Sequence, residues 1–78
     1  MGVGRKHALE RMEGWARRIE EHVRHLEAEP ESLSVSHWKG EIQTWLRDIE
    51  NSLRHVGRKT GEAWQERLAA WRVQMLRW

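Results

Sequence analysis

The sequence predicts an all-α fold, an antiparallel three-helix bundle with Trp-rich heptad seams. Three observations predict it. Apolar residues recur at alternating steps of three and four along three separate stretches, the spacing that gathers side chains on one face of an α-helix. Five of the six tryptophans stand seven residues apart in two series, Trp38 and Trp45, then Trp64, Trp71 and Trp78. Seven residues are close to two helical turns, so each series forms a stripe. Helix-breaking Pro30, and the pair Gly57 and Gly61, fall between the stretches.

The first helix is expected over residues 5–28. Its seam is Leu9, Met12, Ala16, Ile19, Val23 and Leu26, widened by Trp15 and His22. Glu and Arg alternate on the opposite face, with Glu13–Arg17 and Glu20–Arg24 at the i,i+4 spacing that supports exposed helices. Pro30 stops this helix and pushes Glu29 out of helical geometry.

The second helix is expected over residues 35–56, with Ser34 as N-cap. Its seam runs Val35, Trp38, Ile42, Trp45, Ile49, Ser52 and Val56, with Leu46 and Leu53 one step aside. Gly57 reads as the residue after its C-terminus. The third helix is expected over residues 61–78, capped by Thr60, with the seam Trp64, Leu68, Trp71, Met75 and Trp78. The second and third seams differ in register by one residue, which favours a break between them. The alternative is one continuous helix that would force the chain to dimerise.

The 78 residues make a single domain, 1–78, too short to bury a large core. There is no cysteine to staple it, so bulky side chains or self-association must supply stability. The absence of cysteine suggests a reducing, cytoplasmic setting. Arg5 and Lys6 are followed by no apolar run, so no signal peptide is expected. Eleven Arg against three Lys, and no Phe or Tyr, fit a GC-rich, bacterial coding sequence.

No motif in the sequence carries chemistry. The single Asp and the absent Cys leave few nucleophile or acid–base combinations, and neither an enzyme nor a cofactor is expected. His22 and His25, with Glu21 beside them, have metal-compatible spacing, but no HExxH or repeated ExxH motif appears. They read as surface or salt-bridged histidines, and no metal is expected. Lys59-Thr60 resembles the end of a phosphate-binding loop, but Arg58 stands where that loop needs Gly.

Two binding surfaces remain. The first is the edge of the Trp stripe. Trp15, Trp71, Met75 and Trp78 are the candidate interface residues, because three indoles on one helix exceed what a small core easily holds. Trp and Arg also dominate interface hot spots. A second copy of the chain, as a homodimer, or another helical protein is the expected partner. The second surface is the basic turn, where Arg54, Arg58, Lys59 and Thr60 are candidates for contacting an anion or a nucleic acid. A membrane is the less expected partner, suggested only by the acid-free run from Arg67 to Trp78.

Overall fold

The computed structural model describes the backbone of residues 2–78 and the side chains of residues 4–78; Met1 lies outside the described residues. The chain runs through α1 (Gly2–Ala28), α2 (Val35–Ser52), a 3-10 turn (Leu53–His55) and α3 (Arg58–Met75). No strand occurs among the described residues. The molecule measures 46 × 19 × 16 Å, and α1, at about 1.5 Å per residue, alone spans most of the long dimension.

Side-chain pairs fix the helix directions. His22 meets Glu41 while His25 meets Trp38, so α1 and α2 are antiparallel. Glu13 and Glu27 of α1 meet Arg67 and Arg77 in the same order, so α3 runs parallel to α1. The expected antiparallel three-helix bundle is the fold found.

The α1 seam is buried as expected from Met12 through Ala16, Ile19 and Val23 to Leu26, while Ala8 takes the place expected of Leu9 at its start. Trp64, Leu68, Trp71 and Met75 of α3 are also buried. In α2 the seam is rotated from the expected one. Ile42, Leu46 and Ile49 are buried, whereas Trp38 and Trp45 pack half-buried at the edge. A helix that touches two neighbours must bury a wedge rather than a stripe, and Leu46 lies in the wedge shared with α3. The two indoles lean instead on α1, Trp45 against the His22 edge at 4.8 Å and Trp38 stacked on His25 at 5.3 Å between ring centroids.

The joints differ from expectation in four ways. First, α1 begins at Gly2, earlier than position 5. Second, Ser34 precedes α2 as predicted, but its hydroxyl makes no cap; the Ser32 hydroxyl accepts the Ser34 N–H at 3.1 Å.

Third, α2 ends at Ser52 and tightens into the 3-10 turn. Val56 and Gly57 are then extended (φ −120°, ψ 162° and φ −68°, ψ 164°), which separates α2 from α3. Gly57 therefore closes no left-handed cap on α2. It is the N-cap of α3, accepting the Gly61 N–H at 2.8 Å, and Thr60 lies inside the first turn.

Fourth, α3 ends at Met75. Leu76, Arg77 and Trp78 continue as a tightened turn, each N–H bonding the carbonyl three residues back at 3.1–3.2 Å. Such tightening is a common way to satisfy the last carbonyls of a helix.

Candidate functional site

Aliphatic packing, edged by Trp38 and Trp45, brings α1 and α2 together, but indoles hold α3 at a distance from α1. No Cα atom of α3 comes within 8 Å of one in α1. Trp71 reaches across to line a crevice with Val23 of α1. Arg67 lies over both indoles of that helix, 4.1 Å from the Trp64 ring and 5.1 Å from the Trp71 ring. Its guanidinium also donates to Glu13 of α1 at 3.0 Å. Glu13, expected to pair with Arg17 along the helix, is thus taken by a cross-helix partner.

These contacts decide the fate of the four candidate interface residues. Trp71 and Met75 are 6% and 8% exposed, and both belong to the core of the monomer. Their burial leaves each only a narrow edge, Trp71 in the crevice with Val23 and Met75 in the groove between α2 and α3. Trp15 and Trp78 are half-buried against that core. The Trp78 carbonyl accepts from Lys39 Nζ at 2.6 Å, which ties the last turn to α2.

The side of α3 opposite its core is more informative. Val73 is 66% and Leu76 84% exposed, two of the three large apolar side chains left in solvent among the described residues; the third is Leu33 in the α1–α2 loop. Ala69 and Ala70 are exposed beside them. At about 100° per residue, Glu66, Ala69, Ala70 and Val73 fall on this outward side, and Leu76 and Arg77, both exposed, follow in the turn that continues α3. Sequence reasoning followed the larger tryptophans and read Val73 and Leu76 only within the acid-free run from Arg67 to Trp78, although the spacing of this second stripe is visible in the sequence. Next to it, a groove of about 590 Å³ runs between α2 and α3, with Leu46 and Met75 among its lining and Lys39, Arg47, Glu50 and Arg72 charged around it. Arg72 and Glu50 pair across it at 2.7 Å.

At the opposite end of the bundle, bases from three elements converge. Arg54 and Lys59 are exposed and Thr60 is half-buried. Arg58 is exposed and pairs with Glu62 at 3.3 Å. The tertiary fold adds Arg5 and Arg11 from the start of α1. A side-chain carbon at Gly57 would stand 3.6 Å from the Arg5 guanidinium, so Arg5 lies against the N-cap of α3. A cleft of about 290 Å³ is lined by His7 and Arg11 of α1 together with Ser52 and His55. The basic excess read from the second half of the sequence is therefore larger in space, because α1 contributes its own basic start.

The histidines form a third cluster, also hidden from a linear reading. Glu41 Oε1 stands 3.2 Å from His22 Nε2 and 2.9 Å from His37 Nε2. With Nε2 turned to a carboxylate, His22 leaves Nδ1 buried and without a partner. It is the one such side-chain atom among the described residues. Every indole N–H therefore reaches either a partner or solvent. Glu41 and the imidazoles join α1 to α2 at the level of Trp45, which makes the cluster a polar clasp on the helix pair.

No helix is long and apolar enough to cross a membrane. Comparison with protein-family models, with curated proteins and with solved structures finds no match to this chain.

Proposed function

We propose that this chain is a non-enzymatic helical interaction module that associates with itself through the outward stripe of α3. One observation carries the reading: Val73 and Leu76 are exposed side by side, with small Ala69 and Ala70 next to them. Isolated exposed apolar residues are ordinary on any protein surface, but a contiguous stripe on one helix points to a partner. Small residues within it let a second helix approach closely. This moves the interface from the Trp71 and Met75 side to the opposite face of the same helix. The absence of cysteine fits a reducing, cytoplasmic setting.

The test is analytical ultracentrifugation of the purified chain over a wide concentration range. Reversible dimerisation that is lost in Val73→Glu supports the reading. A monomer at every concentration overturns it.

A second reading is favoured by one specific observation, the convergence of Arg5 and Arg11 with Arg54, Arg58 and Lys59 at one end. That end suits a polyanion such as a nucleic-acid backbone, bound without sequence preference. Binding of duplex DNA would weaken steeply with salt, by close to one log–log unit per phosphate contact. Absence of binding at low salt removes this reading.

A further inference from the structure

We infer that two copies pair through α3 in antiparallel fashion, in a register fixed by Glu66 of each copy facing Arg77 of the other. The inference rests on the self-association reading and gives that interface its geometry.

Along the outward side of α3, Glu66, Ala70, Val73 and Arg77 are separated by steps of four, three and four. That spacing reads the same in either direction. Reversing one copy therefore sets Glu66 against Arg77, and Ala70 against Val73, in the same register. Both pairings share a midpoint between positions 71 and 72. A two-fold axis through that midpoint repeats each pairing, so the contact is isologous and closes as a dimer. Every pairing matches small with larger or acid with base.

A parallel arrangement offers no such match. It would set Glu66 against Glu66 and Arg77 against Arg77, and like charges facing one another are unfavourable. The lean of the side chains also agrees. Arg77 falls on the edge of the stripe nearer α1, where its Nη1 reaches to 3.9 Å from Glu27 of that helix. A two-fold axis perpendicular to the helix pair brings that edge of one copy onto the same edge of the other. Leu76 and Ala69 occupy the edge nearer α2 and flank these pairings in each copy.

The charged ends are free to serve this contact. Glu66 is exposed. Arg77 is 64% exposed and holds Glu27 only at the limit of ion-pair distance. Along most of the outward stripe the core-facing side of α3 is already occupied by Trp64, Leu68, Trp71 and Met75, so pairing needs no refolding. A single helix pair buries less than the roughly 1,200–2,000 Å² of a standard stable interface. The dimer is therefore a dynamic one that dissociates on dilution.

Sedimentation equilibrium on the full chain tests this with four variants, Glu66→Arg, Arg77→Glu, the double substitution, and Val73→Glu. Circular dichroism and thermal unfolding check that each remains helical. Glu66→Arg and Arg77→Glu each place two like-charge pairs in the dimer, and each is expected to weaken it about tenfold or more. The double substitution restores both pairs with the signs exchanged and is expected to return the dissociation constant to near that of the original chain. An equimolar mixture of the two single variants is expected to form the mixed dimer in preference to either homodimer.

The two readings fail differently. If the single reversals dimerise as well as the original chain while Val73→Glu is monomeric, the face stands and the register is wrong. If the original chain is monomeric throughout, self-association itself fails and the register with it. Val73-dependent binding of that monomer to anionic vesicles would then assign the stripe to a lipid surface.

Discussion

Two of the helix interfaces of this bundle are built from different materials. Between α1 and α2, Ala16, Ile19, Val23, Ile42 and Ile49 pack the backbones closely. Between α1 and α3, Trp64 and Trp71 span a gap in which no pair of Cα atoms comes within 8 Å. Close-packed aliphatic helices lie about 8–10 Å apart between axes, and an indole on one side exceeds that spacing. Side-chain size thus sets helix separation, and a short chain gains core volume by holding one helix at arm's length. The wider interface is then sealed at its surface by charge. Arg67 covers both indoles and holds Glu13, while Arg72 holds Glu50 on the other flank.

Removing an indole is the most severe test of the comparison. Trp71→Ala opens a cavity that the widely spaced backbones cannot collapse, and is expected to cost about 3–5 kcal/mol in chemical denaturation. In the aliphatic interface, Ile19→Val or Ile42→Val removes one methyl group and is expected to cost about 0.5–1.5 kcal/mol. A Trp71→Ala loss no larger than the Ile→Val losses would show that the indoles fill space without holding α3.

The next test concerns the seal. Arg67→Ala removes a cation over two rings and a partner of Glu13. Both contacts are partly exposed, so the expected loss is about 1 kcal/mol. Adding salt should reduce the difference between Arg67→Ala and the original chain, because the pair with Glu13 is screened.

The smallest effects come from two glycines that serve neither interface. A methyl group at Gly14 or Gly40 would meet nothing within 4 Å, and both sit inside helices. Gly14→Ala and Gly40→Ala are each expected to raise stability, by about 0.5–1 kcal/mol, through lower backbone entropy in the unfolded chain. A loss at Gly40 would mean that its open face is covered by a partner, which would enlarge the interface beyond α3.

Much of the fold was legible locally. The α1 seam from Met12 to Leu26 and the α3 seam from Trp64 to Met75 were readable because each faces inward along one stripe. The α2 seam was misread at Trp45 and Leu46, since a helix between two neighbours has no single inward stripe. Among the candidate site residues, Trp71 and Met75, expected at an interface, belong to the core of the monomer. Val73 and Leu76 read only as part of the acid-free run from Arg67 to Trp78, not as a stripe of their own. Arg54, Arg58 and Lys59 were identified as a basic turn, while the contribution of Arg5 and Arg11 required α1 and α3 to lie parallel.

By itself the sequence determined that there are three helices, where the first of them stops, and which face of α1 and of α3 turns inward. Those properties depend on hydrophobic period and on Pro30, and both act over a few neighbouring residues. Only the tertiary structure decided that Gly57 caps the start of α3, that Glu13 holds Arg67, and that Glu41 gathers His22 and His37. It also decided that α3 stands off from α1 and turns Val73 and Leu76 to solvent. These depend on distances between segments far apart in the chain. Such distances follow from how the side chains of several helices pack at once, and no single stretch of sequence contains them.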